Sequence, residues 1–169
     1  ALPENGWDWL IEKGIRDFEE KNRSNYLGGL QIGISKKFQG KGISKTIIKN
    51  VKELFYKNHF VHLVIPIRPT LKHKYPLISM DDYLNWKKDN KIFDPWIRTH
   101  VESGAKIIKI CRKSMTFTGS ITEWESWTRQ TFLSSGKYII DGALQPLKID
   151  LGSNNGVYYD ENIWIYYDR

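Results

Sequence analysis

The chain has 169 residues, a single cysteine, seven tryptophans and a formal net charge of +7. That length fits one compact domain, and the balance of apolar and charged residues belongs to a globular protein, which excludes disordered and fibrous classes. No apolar run approaches the ~18 residues of a spanning helix, the start Ala1-Leu2-Pro3-Glu4-Asn5 lacks the basic and apolar regions of a signal peptide, and Cys111 has no partner for an internal disulfide; the expected compartment is the cytoplasm.

Taken in chain order, Trp7, Ile11, Ile15 and Phe18 recur at helical spacing with Asp17, Glu19 and Glu20 on the far side, which predicts a helix over 6–21 with that apolar face in the core. Asn22 to Asn25 breaks it. Tyr26 to Ile34 then alternates, with Leu30, Ile32 and Ile34 apolar, and reads as a strand. A basic turn with two glycines leads into a second helix, whose stripe is Ile43, Ile47, Val51, Leu54 and Phe55 and whose outer face carries Lys45, Lys49 and Lys52. Val61 to Ile67 is a nearly continuous apolar run, as expected of a strand covered on both faces in a parallel arrangement.

Pro66 has no amide hydrogen, so the ladder is expected to be interrupted there, freeing the neighbouring strand to diverge and open a cleft. Beyond it, a short helix is predicted at Met80 to Trp86, and Asp94-Pro95 starts a segment reaching His100. Gly104 to Arg112 reads as a strand. Ser120-Ile121-Thr122-Glu123 has capping-box spacing ahead of a helix whose apolar side is Trp124 and Trp127. Final strands are predicted at Lys137 to Ile149 and Val157 to Tyr167, joined by the turn Gly152 to Gly156.

The charge calls for a partner, and a basic surface serves nucleic acid, an anionic membrane or a polyanionic small molecule. The lysines concentrate locally at Lys36 to Lys57. No helix-turn-helix, zinc or aromatic-strand signature accompanies them, so nucleic acid is not expected. Four scattered histidines without cysteine partners give no zinc spacing, and no metal is expected.

A glycine-containing loop between a strand and a helix exposes consecutive amides at the positive end of the helix dipole, where phosphate oxygens bind. Gly40 and Gly42 suit such a loop, and Lys36, Lys37 and Lys41 add charge beside it. A glycine pair alone also fits an ordinary strand-to-helix turn. Neither the Walker pattern GxxxxGK[ST] nor the Rossmann pattern GxGxxG is present.

Gln39-Gly40-Lys41-Gly42-Ile43-Ser44 resembles the GNAT signature Q/R-x-x-G-x-G/A, in that family's setting of strand, loop, amphipathic helix and apolar strand, over residues 26–70. Ser44 departs from the usual Gly or Ala, a small change at the close helix approach. The resemblance implies an α/β fold with a mixed central sheet, splayed parallel strands and flanking helices. It further implies one acyl-CoA-binding domain over 1–169, with its CoA core at 26–70 and an enlarged C-terminal half at 71–169. By the same resemblance the amides from Gly40 to Ser44 bind the CoA pyrophosphate, and the Leu30, Ile32, Ile34 strand runs beside the pantetheine arm. The family places further strands and two helices ahead of that strand, where only about 25 residues stand, so the amino-terminal part is expected to be truncated.

The second half resembles a GNAT subgroup that includes the loading domains of polyketide synthases, which use a Thr and a His in the acyl pocket. Thr70 and His100 are the corresponding candidates; a hydroxyl and an imidazole can hold a carboxylate or stabilise an enolate. Without the resemblance they read as a turn residue and a satisfied helix-end histidine. Tyr83 is the candidate donor to a departing thiolate, against the reading of a buried core tyrosine. The expected activity is acyl transfer from acetyl-CoA or another acyl-CoA to an amine. The alternatives are decarboxylation of malonyl-type thioesters or S-acyl transfer to a carrier protein, and a non-enzymatic basic interaction domain.

Overall fold

The computed structural model describes residues 2–168. Helix α1 (Gly6–Glu19) leads to the three-residue strand β1 (Tyr26–Gly28), helix α2 (Ile43–Lys57) and strand β2 (His62–Ile67). Helix α3 (Met80–Asn85), a small hairpin of β3 (Lys87–Lys88) and β4 (Lys91–Ile92), and helix α4 (Pro95–Glu102) follow. The rest is strand β5 (Lys106–Gly119), helix α5 (Ile121–Thr128) and strands β6 (Gly136–Tyr138), β7 (Leu147–Asp150) and β8 (Asn155–Asp168).

Strand β8 organises the main sheet. One of its edges carries β2 along His62–Ile67 and β7 beyond, the other carries β5, and all three pairings are antiparallel; β1 lies parallel on the far side of β2. Leu63 and Ile67 of β2 with Ile163, Ile165 and Tyr167 of β8 meet Ile48 and Phe55 of α2 and Ile97 of α4 in the principal core. On the opposite face Val64, Cys111 and Trp164 pack with Trp9 and Leu10 of α1. A second core at the far end gathers Trp124, Phe132, Leu147 and Tyr158.

Several expectations from the sequence are corrected. The 26–34 strand ends at Gly28, so Leu30, Ile32 and Ile34 lie outside the ladder of the described residues. The stretch 137–149 is two short strands, β6 and β7, split by a loop, and the 104–112 strand runs on to Gly119 because β8 offers an equally long partner. Strand β2 is parallel only toward β1. In α2 the deepest residues are Ile48 and Phe55, while Leu54 faces solvent. The apolar face expected to bury α1 does not reach the core: Ile15 is 54% and Phe18 86% exposed. What anchors α1 is its N-terminus, where the Gly6 amide donates to Cys111 Sγ (3.0 Å) and the Trp7 amide to Ser114 Oγ (2.9 Å), satisfying free helix-end donors from β5. Burial pushes the Cys111 thiol up, consistent with an inert packing role.

Pro66 acts on one side of its strand only. Toward β8 the register is unbroken, with Pro66 opposite Trp164. Toward β1 the last bond runs from the Gly29 amide to the Val64 carbonyl (3.0 Å). The next bond of a parallel ladder would run from the amide of residue 66 to the Gly29 carbonyl, and proline has no such hydrogen. The two parallel strands separate at that point.

Candidate functional site

Past the separation, residues 30–35 run as an unpaired edge toward the glycine loop. The Leu30 carbonyl accepts from the Trp7 indole (3.1 Å), and the Ile34 carbonyl accepts from the Gln39 side-chain amide (2.9 Å). Gln39 therefore braces the loop against the end of the edge segment.

Gly40 and Gly42 both have positive φ, 73° and 74°, in the left-handed region that glycine enters without steric cost. Gly42 is the N-cap of α2, no side chain caps that end, and no acidic residue lies in the first turn. Among the described residues the amides of Gly40, Lys41, Gly42, Ile43 and Ser44 donate to no other group. The turn is exposed from Gln39 to Gly42 and half-buried at Ile43 and Ser44. Lys37 and Lys41 sit over the Phe38 ring, at 4.9 and 5.7 Å from its centroid, and no carboxylate among the described residues pairs with Lys36, Lys37 or Lys41. Unsatisfied donors, a 15-residue helix dipole and uncompensated positive charge thus share one exposed corner, which is the chemistry of an anion site.

The catalytic candidates lie elsewhere and divide in two. Asp94, nearly buried, is the N-cap of α4 and accepts from the Trp96 amide (2.9 Å), the Ile97 amide (3.1 Å) and the Leu71 amide (2.9 Å). The Tyr83 hydroxyl donates to it at 2.8 Å and the Thr70 hydroxyl at 3.3 Å. Burial, reinforced by Asp94, pushes the Tyr83 hydroxyl well up from its usual range, so Tyr83 stays neutral within the core. His100 is fully buried on α4, with Nδ1 2.8 Å from the Tyr167 hydroxyl and its ring edge-on to Trp96. Its Nε2 has no partner among the described residues, and burial brings its pKa down to about 4. Thr70 and Tyr83 are therefore brought together by Asp94, whereas His100 belongs to a separate contact with Tyr167. Sequence reasoning read Asp94-Pro95 as the start of a segment but gave the carboxylate no role; it is the N-cap of α4, with Pro at the first helical position.

On the α1 side of the sheet, a groove of about 1460 Å³ runs between the helix and the strands. Leu30 and Val64, the residues flanking the separation, line it, together with Tyr26, His62 and Tyr166. Sequence reading took His62 only as part of an apolar run; its neighbours come from three strands.

A parallel strand pair that separates beside a glycine-capped helix, within a mixed sheet, matches a known architecture. The loading GNATL domain of CurA from Lyngbya majuscula superposes with a TM-score of 0.52 over 90% of this chain and 60% of that domain, at 13% identity. The chain has the GNAT fold. In sequence, the arginine N-acetyltransferase avaD of Aspergillus versicolor is 27% identical over 97% of this chain, which spans 64% of that relative's length. An IAA acetyltransferase from Bacillus cereus ATCC 14579 aligns more loosely, with a TM-score of 0.45 at 11% identity over 88% of the chain and 65% of that protein. No family model matches the sequence. Within the GNAT frame the expected mixed sheet, splayed parallel pair and flanking helices are all present. No helix among the described residues is long and apolar enough to cross a membrane, and none of their His, Cys, Asp or Glu side chains gather in threes to hold a metal.

Proposed function

We propose that this chain is the acyl-CoA-gripping domain, residues 1–169, of an N-acyltransferase that moves an acyl group from CoA to an amine. The observation that carries the proposal is the row of five unspent amides from Gly40 to Ser44 at the mouth of α2. A CoA diphosphate would accept from them, with Lys36, Lys37 and Lys41 supplying countercharge. The unpaired edge from Leu30 through Ile32 to Ile34 offers the pantetheine amides a strand-like partner in the gap beside Pro66. The reaction joins the amine nitrogen to the thioester carbonyl carbon, breaks the carbon–sulfur bond and releases CoA thiol and one proton. AvaD is named for acetylating arginine, and arginine is accordingly the first acceptor to try.

Decarboxylation or carrier-protein loading through Thr70 and His100 is a weaker reading. Both would have to face one carboxylate, whereas the Thr70 hydroxyl is spent on Asp94 and His100 is fully buried with its Nδ1 on the Tyr167 hydroxyl. Titration of acetyl-CoA and malonyl-CoA into the full chain, followed by mass spectrometry of products formed with arginine and other amines, separates these readings. Amide products support amine transfer, carbon dioxide release supports the weaker reading, and absence of any CoA binding leaves a basic interaction domain. Gly42→Val is expected to weaken CoA binding at least ~100-fold, because a β-branched residue resists positive φ and reshapes the loop; unchanged affinity would place the diphosphate elsewhere.

A further inference from the structure

The acyltransferase reading leaves open what takes the proton from the incoming amine, and the groove beneath α1 holds one group with the right chemistry and place. His62 opens β2 and lines the groove with its ring 35% exposed. Val64 stands two residues further along the same face of the strand, about 7 Å away. Opposite Val64, the chain passes from Gly28, still in register, to Leu30, which lines the groove and also begins the unpaired edge. A thioester carried along that edge would emerge into the groove at Leu30, four residues past the Tyr26–His62 pair and so about 13 Å from it along the strands, a gap that water in the groove would bridge.

The surroundings of His62 suit a proton acceptor. Its Nδ1 lies 3.6 Å from Asp168 Oδ1 on β8, and the other oxygen of that carboxylate takes the Lys106 ammonium of β5 at 2.9 Å. Its ring lies between those of Tyr26 on β1 (5.0 Å) and Tyr166 on β8 (6.5 Å). On the helix side of the groove, Asp17 is engaged by Lys13. A carboxylate facing Nδ1 orients the imidazole, leaving Nε2 to meet the substrate.

We propose that His62, positioned by Asp168, is the catalytic base of this acyltransferase and that the groove beneath α1 is the amine-acceptor site; this rests on the CoA reading above. In the step, neutral His62 takes, through water in the groove, one proton from the ammonium form of the acceptor. The freed amine lone pair then attacks the thioester carbonyl, the carbon–sulfur bond breaks, and the second amine proton ends on the departing CoA sulfur. His62 returns its proton to solvent through the open groove.

The test measures kcat/KM against pH for the full chain with acetyl-CoA and whichever amine of the panel turns over fastest. His62→Gln is expected to lower kcat/KM on the order of 10²-fold, to erase the acid limb of the profile, and to regain activity with added imidazole, while acetyl-CoA affinity stays at the wild-type level. Asp168→Asn should lower kcat/KM while leaving acetyl-CoA affinity at the wild-type level, because the imidazole loses the carboxylate that orients it. A His62→Gln enzyme that keeps the wild-type rate and limb overturns the assignment of the base, and an Asp168→Asn enzyme with wild-type kcat/KM overturns the positioning role given to Asp168. Failure of the wild-type chain to bind acetyl-CoA would instead overturn the acyltransferase reading itself.

Discussion

The glycine loop at the head of α2 and the polar centre around Asp94 use the same groups to opposite ends. In the loop, five amides are bound by nothing among the described residues. At Asp94, three amides and two hydroxyls converge on one nearly buried carboxylate. The first arrangement is tolerable because water satisfies the exposed donors until a ligand replaces it, whereas the second is closed and each donor is already spent. Unspent polarity at the surface marks where this fold can bind; spent polarity in the interior marks what holds it together.

The sharpest break of that contrast is Asp94→Ala. It strips the N-cap from α4, leaves the Leu71 amide and Tyr83 hydroxyl unpaired in the core, and should cost roughly 4 kcal/mol in urea unfolding. Gly42→Val, by contrast, should cost only about 1 kcal/mol, since a Cβ there meets nothing within 4 Å and the strain is confined to the backbone dihedral. An Asp94→Ala protein as stable as wild type would refute the structural role assigned to the carboxylate.

His100 gives the next effect, through pH. An unfolded histidine takes up its proton below about pH 6.5, but the folded chain withholds protonation down to about 4. Between those values the unfolded state binds more protons, so stability falls as the pH drops through the window, by roughly 3 kcal/mol at its foot. His100→Asn can keep a bond to the Tyr167 hydroxyl without titrating, and should flatten that part of the curve. Urea midpoints for both proteins from pH 7 to pH 4 check this, and parallel curves would show that His100 is not held neutral by burial.

Much of this was legible from sequence where a local signal decides the outcome. Gly40 and Gly42 mark the loop, the stripe from Ile43 to Phe55 marks α2, and Ser120 with Glu123 forms the capping box with both of its bonds in place. Pro66 foretold the parting strands, though its effect falls only toward β1. What stayed hidden depends on partners. Leu30, Ile32 and Ile34 alternate as a strand does, yet alternation cannot supply a neighbouring edge once Pro66 has withdrawn it. The stripe ending in Ile15 and Phe18 promised a buried face, but α1 is held by its first turn on Cys111 and Ser114, contacts more than 100 residues away in sequence. Likewise, nothing near Thr70 or Tyr83 announces that both would spend their hydroxyls on Asp94.

Thr70→Val makes the finest cut. At 3.3 and 3.5 Å the Thr70 hydroxyl is the longest of the donors to Asp94, and four better ones remain when it is removed. Valine keeps the shape and β-branching, so the loss in urea unfolding should stay below about 1 kcal/mol. Amine transfer should be untouched, because the hydroxyl faces the core carboxylate rather than the loop or the groove. A Thr70→Val chain that retains amide formation but loses release of carbon dioxide from malonyl-CoA would reverse the ranking of the two enzymatic readings. It would also mean that the Asp94 centre opens to substrate, which would turn spent polarity into a site after all.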